Sequence, residues 1–159
     1  MFLIVFGAKY LYIVVGLIAI TVFFLSSILI KNKLLLHAAV VFPISYLLSK
    51  LFGYFIQSPR PFIVSHIKPL IDASTDNGFP SDHTLLAMAV ASVIFVYNRK
   101  VGSLLILLAI LVGLSRVLVG VHHPIDVIGS IVISVFTTYI VHTYLFKYLG
   151  KKLQVNKKL

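Results

Sequence analysis

The chain contains no cysteine and no glutamate, and its four acidic residues are all aspartate. Without cysteine, disulfides and thiolate metal sites are excluded, and the redox compartment leaves no mark. Charged residues make up only 11% of a chain of 159 residues that is 60% hydrophobic, with a mean hydropathy of +1.06. A water-soluble domain has roughly a quarter of its residues charged, so that class is excluded as well. Successive apolar runs instead approach the roughly 20 residues needed to cross a bilayer core. Little chain is left over, and residues 1–159 read as one integral membrane domain, an all-α helical bundle.

The formal charge of +10 comes from short basic clusters between apolar runs and at the C-terminus. That pattern fits positive-inside topology and gives no reason to invoke nucleic acid. Met1-Phe2-Leu3-Ile4 has no basic lead-in, and no small-residue cleavage pattern follows the first run. The expectation is a retained span and not a removed signal.

Five spans are expected, with a sixth possible inside the first run. Tyr10 to Ile30 crosses with the preceding residues interfacial, and Lys31 and Lys33 mark a short turn. Leu34 to about Ile56 is the second span, Ser81 to Tyr97 the third, Val101 to about Val119 the fourth. The fifth starts near Pro124, a residue suited to a first helical turn, and runs to about Phe146. Alternation over five spans puts Lys31, Lys33, Arg99, Lys100, Lys147, Lys151, Lys152, Lys157 and Lys158 on one side, expected to be cytoplasmic. The opposite side receives Arg60, Lys68, Arg116, all four aspartates (Asp72, Asp76, Asp82, Asp126), and His66, His83, His122 and His123.

Three polar blocks therefore fall on one membrane face, although about sixty residues separate the first from the last. Arg60 and Arg116 offer planar donor forks that stay charged at any relevant pH and suit two-point binding of phosphate oxygens. Taken singly, each is equally well explained as a snorkelling interfacial anchor. Pro80-Ser81-Asp82-His83 opens an apolar helix whose first N–H groups lack intrahelical partners and make an anion seat, to which Ser81 adds a hydroxyl; Ser81 or Asp82 also serves as an N-cap. His122 and Asp126 are four apart, with Pro124 between them. A carboxylate on one imidazole nitrogen fixes the tautomer and leaves the other free as a nucleophile. A zinc site from His83, His122, His123 and Asp126 is a rival reading, but it leaves both arginines unexplained and sets them beside another cation. The segment from Gln57 to Phe79 is long for a span connection, and its Phe62, Ile63, Ile67, Leu70 and Ile71 suit an interfacial position.

In order and spacing the blocks resemble those of the type 2 phosphatidic acid phosphatase superfamily: Lys-x6-Arg-Pro, Pro-Ser-Gly-His, then Ser-Arg-x5-His-x3-Asp. The third is complete as Ser115, Arg116, His122 and Asp126. The first matches at Arg60-Pro61, and the second at all but its third position, where Asp82 replaces glycine. The pattern's lysine falls at Gly53, and Lys50, one helical turn earlier, is the candidate to replace it. The resemblance covers roughly Leu34 to Phe146 and implies a bundle that usually has six spans. It implies that His122 forms a phosphohistidine, that Asp126 orients it, and that His83 serves as acid and then base. Arg60, Arg116 and Ser81 would hold phosphate, and no metal or other cofactor would be required.

The substrate it implies is a lipid phosphate or pyrophosphate. The Pro-Ser-Asp-His form resembles that of bacterial undecaprenyl pyrophosphate phosphatases, which puts undecaprenyl pyrophosphate first and a prokaryotic plasma membrane as the setting, with the site on the extracytoplasmic side. Phosphatidic acid, phosphatidylglycerol phosphate and lipid A phosphate are alternatives. A reading of another class, a lipid-phosphate binder or transporter without turnover, takes its support from the missing lysine.

Overall fold

A computed structural model describes residues 1–66 and 68–146. Seven α-helices account for most of them: α1 (Phe2–Lys9), α2 (Leu11–Leu25), α3 (Ile28–Phe55), α4 (Pro61–Ser65), α5 (Asp82–Tyr97), α6 (Arg99–Leu118) and α7 (Pro124–Val141), the last continued by a π-helical turn at His142–Phe146. Helices are the expected answer in lipid, where each backbone N–H and C=O must be satisfied within its own segment. The chain is an all-α integral membrane bundle.

Among the described residues, α3, α6 and the stretch Pro124–Tyr144 are long and apolar enough to span, and α1 and α2, which meet at a bend of 55°, reach that length only when taken together. The third expected span, Ser81 to Tyr97, is α5, which has only 16 residues, or about 24 Å of rise. It is the helix wrapped by the others, packing against α2, α3, α6 and α7. Its buried face is built from small residues, Ala87, Ala89, Ala91 and Ser92 among them, which lets neighbouring backbones approach closely in a medium without a hydrophobic driving force. Ser130 and Ser134 on α7 reinforce this contact by donating to the carbonyls of Ser81 and Leu85, each at 2.9 Å. Large apolar side chains such as Leu47, Leu107, Leu118 and Phe136 cover the outside, as a lipid-facing surface requires.

Two span boundaries differ from expectation. Lys31 and Lys33 lie within the first turns of α3 and do not form a turn. The break falls at Ser26 and Ser27, both in extended backbone; Ser26 Oγ donates to the Val22 carbonyl at 2.7 Å. Lysine is a good helix former whose stem lies along apolar surface, whereas serine offers the backbone a competing partner. Likewise α6 begins at Arg99, because the Asn98 side chain caps it by accepting from the Val101 N–H at 3.1 Å. Lys147, Lys151, Lys152, Lys157, Lys158 and Ile67 lie outside the described residues.

The connection between α3 and α5 folds back over one end of the bundle. Asn77 clasps it: its amide donates to the carbonyls of Gly53 (2.7 Å) and Ile56 (2.9 Å), and its Oδ1 accepts from the Ser58 N–H (2.8 Å). Ile71 packs with Ala8, Val119 and Val121, which seats the same connection on α1 and on the turn between α6 and α7.

Candidate active site

Each of the three polar blocks sits at a helix terminus on the same end of the bundle. Arg60 precedes α4, Asp82 and His83 open α5, Arg116 lies in the last turn of α6, and His122 occupies the turn before α7. Together with Lys9, Ile71, Asp72, Ala73, Ser74 and Asp76 they line a cavity of about 320 Å³.

His122 is at its centre and only 3% exposed. Its Nδ1 faces Asp126 Oδ2 at 3.4 Å, while its Nε2 lies 3.5 Å from Arg60 Nη1 and 3.4 Å from Arg116 Nη2. A guanidinium can only donate. The hydrogen-bond network therefore assigns the proton to Nδ1, against the carboxylate, and leaves the Nε2 lone pair aimed between two cations. Burial holds the imidazole below its ordinary pKa; the Asp126 contact opposes this, and Arg116 and Arg60 add to it. The ring is accordingly neutral at neutral pH.

The His–Asp geometry follows from Pro124. α7 starts there, so Asp126 is the third helical residue and reaches back to the His123 N–H at 2.8 Å in a capping box. That reach brings the carboxylate to His122, which precedes the helix. Two residues four apart thus meet across a helix start and not along one helical face.

Arg60 is 7% exposed and held on several sides. Nη1 donates to the Val121 carbonyl (3.1 Å), Nε to the Asp76 carbonyl (3.2 Å), and Nη2 to Asp76 Oδ1 (2.8 Å). Ser74 Oγ donates to the same carboxylate, and these two donors, Ser74 first, hold the Asp76 carboxyl below the usual range. Arg116 is 8% exposed. Its Nη1 donates to the Ala8 carbonyl at 3.3 Å, and its Nε is a buried donor with no partner among the described residues.

The other sequence candidates are placed as follows. His83 lines the cavity, with the Tyr12 ring edge-on at 4.6 Å. Ser81 is fully buried below it, where its hydroxyl accepts from Thr84 Oγ1 at 3.1 Å; it is not among the cavity's lining residues. Lys50 is not brought to the cavity: it is exposed on α3 with its ammonium 5.1 Å from the Tyr46 ring centre. His123 points away, its Nε2 3.1 Å from the Pro59 carbonyl. Among the described residues, no group of three His, Cys, Asp or Glu is arranged to hold a metal ion. Lys9 and Asp76 were not singled out from the sequence; an isolated lysine in an apolar run, and an aspartate sixteen residues from its arginine, carry no spacing signal.

Beside the polar cavity, Tyr12 also lines an apolar one of about 570 Å³ between α2, α3 and α5, walled by Phe23, Leu35, Phe42, Leu86 and Val90. Tyr12, edge-on to His83, thus joins a charged cavity at one end of a membrane helical bundle to an apolar one. The family model described as PAP2 superfamily matches residues 34–149, and the chain belongs to that superfamily, the one its motif blocks resemble. It is 35% identical over 113 residues to the bacitracin transport permease protein BcrC of Bacillus licheniformis, covering 70% of this chain and 56% of the relative. To the undecaprenyl-diphosphatase BcrC of Bacillus subtilis (strain 168) it is 34% identical over 110 residues, covering 69% and 57%. The chain thus spans a little over half the length of these curated relatives. The crystal structure of Aquifex aeolicus LpxE shares its fold with a TM-score of 0.74 at 24% identity, over 90% of this chain and 87% of that one.

Proposed function

We propose that the chain is a metal-independent membrane phosphatase that hydrolyses a lipid-borne phosphate or pyrophosphate, with undecaprenyl pyrophosphate as the first candidate, through a phosphohistidine on His122. The observation that carries the reading is the His122 ring, with Nδ1 on Asp126 and Nε2 between two guanidinium groups. Nε2 attacks phosphorus in line as the bond to the leaving oxygen breaks, and His83 gives that oxygen its proton. Water, deprotonated by His83, then attacks the phosphohistidine and releases phosphate, the reversal of roles expected of a two-step displacement. Arg60 and Arg116 stabilise the charge on the equatorial oxygens. The apolar cavity beside Tyr12 supports a substrate with a hydrocarbon tail, and the name of the Bacillus subtilis relative supports undecaprenyl pyrophosphate ahead of phosphatidic acid, phosphatidylglycerol phosphate or lipid A phosphate. The charge pattern along the chain supports an extracytoplasmic site.

A second reading, a lipid-phosphate binder or transporter, is favoured by the glycine at the motif's lysine position and by the name of the Bacillus licheniformis relative. The two separate in one experiment. The purified protein in detergent with chelator is given each lipid, and phosphate release is followed beside His122→Ala. The phosphatase reading expects release that falls by at least about a thousandfold in the variant, as for loss of a nucleophile. A folded wild-type protein that releases nothing from any lipid is a binder.

A further inference from the structure

The superfamily motif puts a cation seven residues before its arginine, and here that position cannot hold one. A Cβ on Gly53 would lie 2.9 Å from the Phe79 carbonyl oxygen, and Asn77 fixes the connection over this spot through the Gly53 carbonyl. Lys50 is turned away toward Tyr46. The cavity nevertheless has a third cation, which comes from a part of the chain outside the matched residues 34–149.

We propose that Lys9 is a phosphate-binding residue, taking from the end of α1 the place of the cation absent at Gly53. The inference rests on the phosphate-handling reading of this cavity. Lys9 is the last residue of α1, just before the bend into α2. Two contacts fix that end of α1 on the Ser115-Arg116 block. Gly7 lies so close to Ser115 that an added Cβ would overlap its hydroxyl, and the Ala8 carbonyl accepts from Arg116 Nη1. Lys9 is therefore placed by the same arginine that faces His122. The ion pairs among the described residues are Arg60–Asp76 and His122–Asp126, so the Lys9 ammonium is not engaged by Asp72, Asp76 or Asp82.

Charge balance shows what Lys9 adds. With His122 neutral and His83 carrying the proton it gives to the leaving oxygen, the lining without Lys9 sets two arginines and one imidazolium against three aspartates, Asp72, Asp76 and Asp82, and has no net positive charge. Such a wall does not attract a phosphate or diphosphate group; Lys9 makes it net positive beside the two guanidinium groups that flank His122. Its exposed, flexible stem lets the ammonium follow a headgroup that extends beyond the reach of the two buried guanidinium groups.

The test uses the full chain in detergent, with Lys9→Gln, Lys9→Arg and, from the opposite end of the bundle, Lys33→Gln. Binding of inorganic pyrophosphate by calorimetry gives a readout that needs no turnover, and phosphate release from undecaprenyl pyrophosphate gives KM and kcat. Expected is at least about fivefold weaker pyrophosphate binding and a matching rise in KM for Lys9→Gln, the loss typical of one charge-assisted contact partly open to solvent. Lys9→Arg should recover most of it and Lys33→Gln should match wild type. Pyrophosphate binding and KM within twofold of wild type in Lys9→Gln, while His122→Ala is inactive, would overturn the proposal and leave the phosphatase reading intact. Weakened binding in Lys9→Gln with no phosphate release by wild type would uphold Lys9 as an anion ligand and sink the phosphatase reading instead. Wild-type protein that fails to bind pyrophosphate, with release unchanged in Lys9→Gln, also overturns it.

Discussion

Arg60 meets the cavity already engaged. Its Nε and Nη2 both reach Asp76 Oδ1, at 3.2 and 2.8 Å, leaving Nη1 directed at the Val121 carbonyl and His122. A phosphate that takes the guanidinium fork in two-point fashion must displace this carboxylate, which is 67% exposed and able to swing into water. The carboxylate is the solvent-exposed partner of a buried guanidinium, so it competes with phosphate for the fork and its removal is measurable. Asp76→Asn is expected to tighten inorganic pyrophosphate binding by about two- to fivefold and to lower KM alike, with kcat little changed. A weaker affinity would instead mean that Asp76 holds Arg60 in its productive orientation. At this scale the sequence was partly legible. His122, Asp126, His83, Arg60 and Arg116 stand out by residue type and spacing, and the fold brings them together. Asp76 and Lys9 do not, because each reaches the cavity through a fold-back whose geometry no local pattern encodes.

The element that decides the cavity's outer wall is the break between α1 and α2. The first apolar run bends by 55° at Tyr10, and the contact that fixes the bend is Gly7 against Ser115. Gly7→Val would push α1 off α6, costing about 1–3 kcal/mol of local packing, and would carry Lys9 and the Ala8 carbonyl away from Arg116. The expected result is a fall in kcat/KM at least as large as that of Lys9→Gln, with the bundle still folded, since the outer faces of α1 and α2 are exposed and the core runs through α5. Gly16→Ala is the control, because nothing lies within 4 Å of its added Cβ. Full activity in Gly7→Val would show that α1 does not shape the cavity. The starts of α5 and α7 were readable from Pro80-Ser81 and Pro124, residues with few conformational options. The break at Ser26 and Ser27 was not, because two lysines a few residues on gave a stronger but misleading signal of a turn. The bend at Tyr10 was foreshadowed only by the excess length of the run.

At the scale of the whole molecule, the two ends of the bundle differ in the charges they carry. One end holds the cavity, with Lys9, Arg60, Asp76, His83, Arg116 and His122. The other gathers Lys31, Lys33, Arg99 and Lys100, and the Tyr97 hydroxyl, donating to the Lys33 carbonyl at 3.4 Å, ties the end of α5 to the start of α3 there. Hydropathy and charge counting could anticipate this separation because each long helix carries the chain from one end to the other, so the sidedness of every later block follows from the first. The proposal that the cavity faces the extracytoplasmic side rests on the positive-inside rule applied to this pair of ends. The lack of cysteine makes that orientation directly testable: any introduced thiol is the chain's sole one. Lys68→Cys, exposed in the connection over the cavity, should react with a membrane-impermeant maleimide in intact cells. Lys100→Cys, exposed at the other end, should react only after the membrane is permeabilised. The reverse pattern would leave the bundle and its cavity as described but turn the site to the cytoplasm, and would require that a lipid phosphate be presented from the inner leaflet.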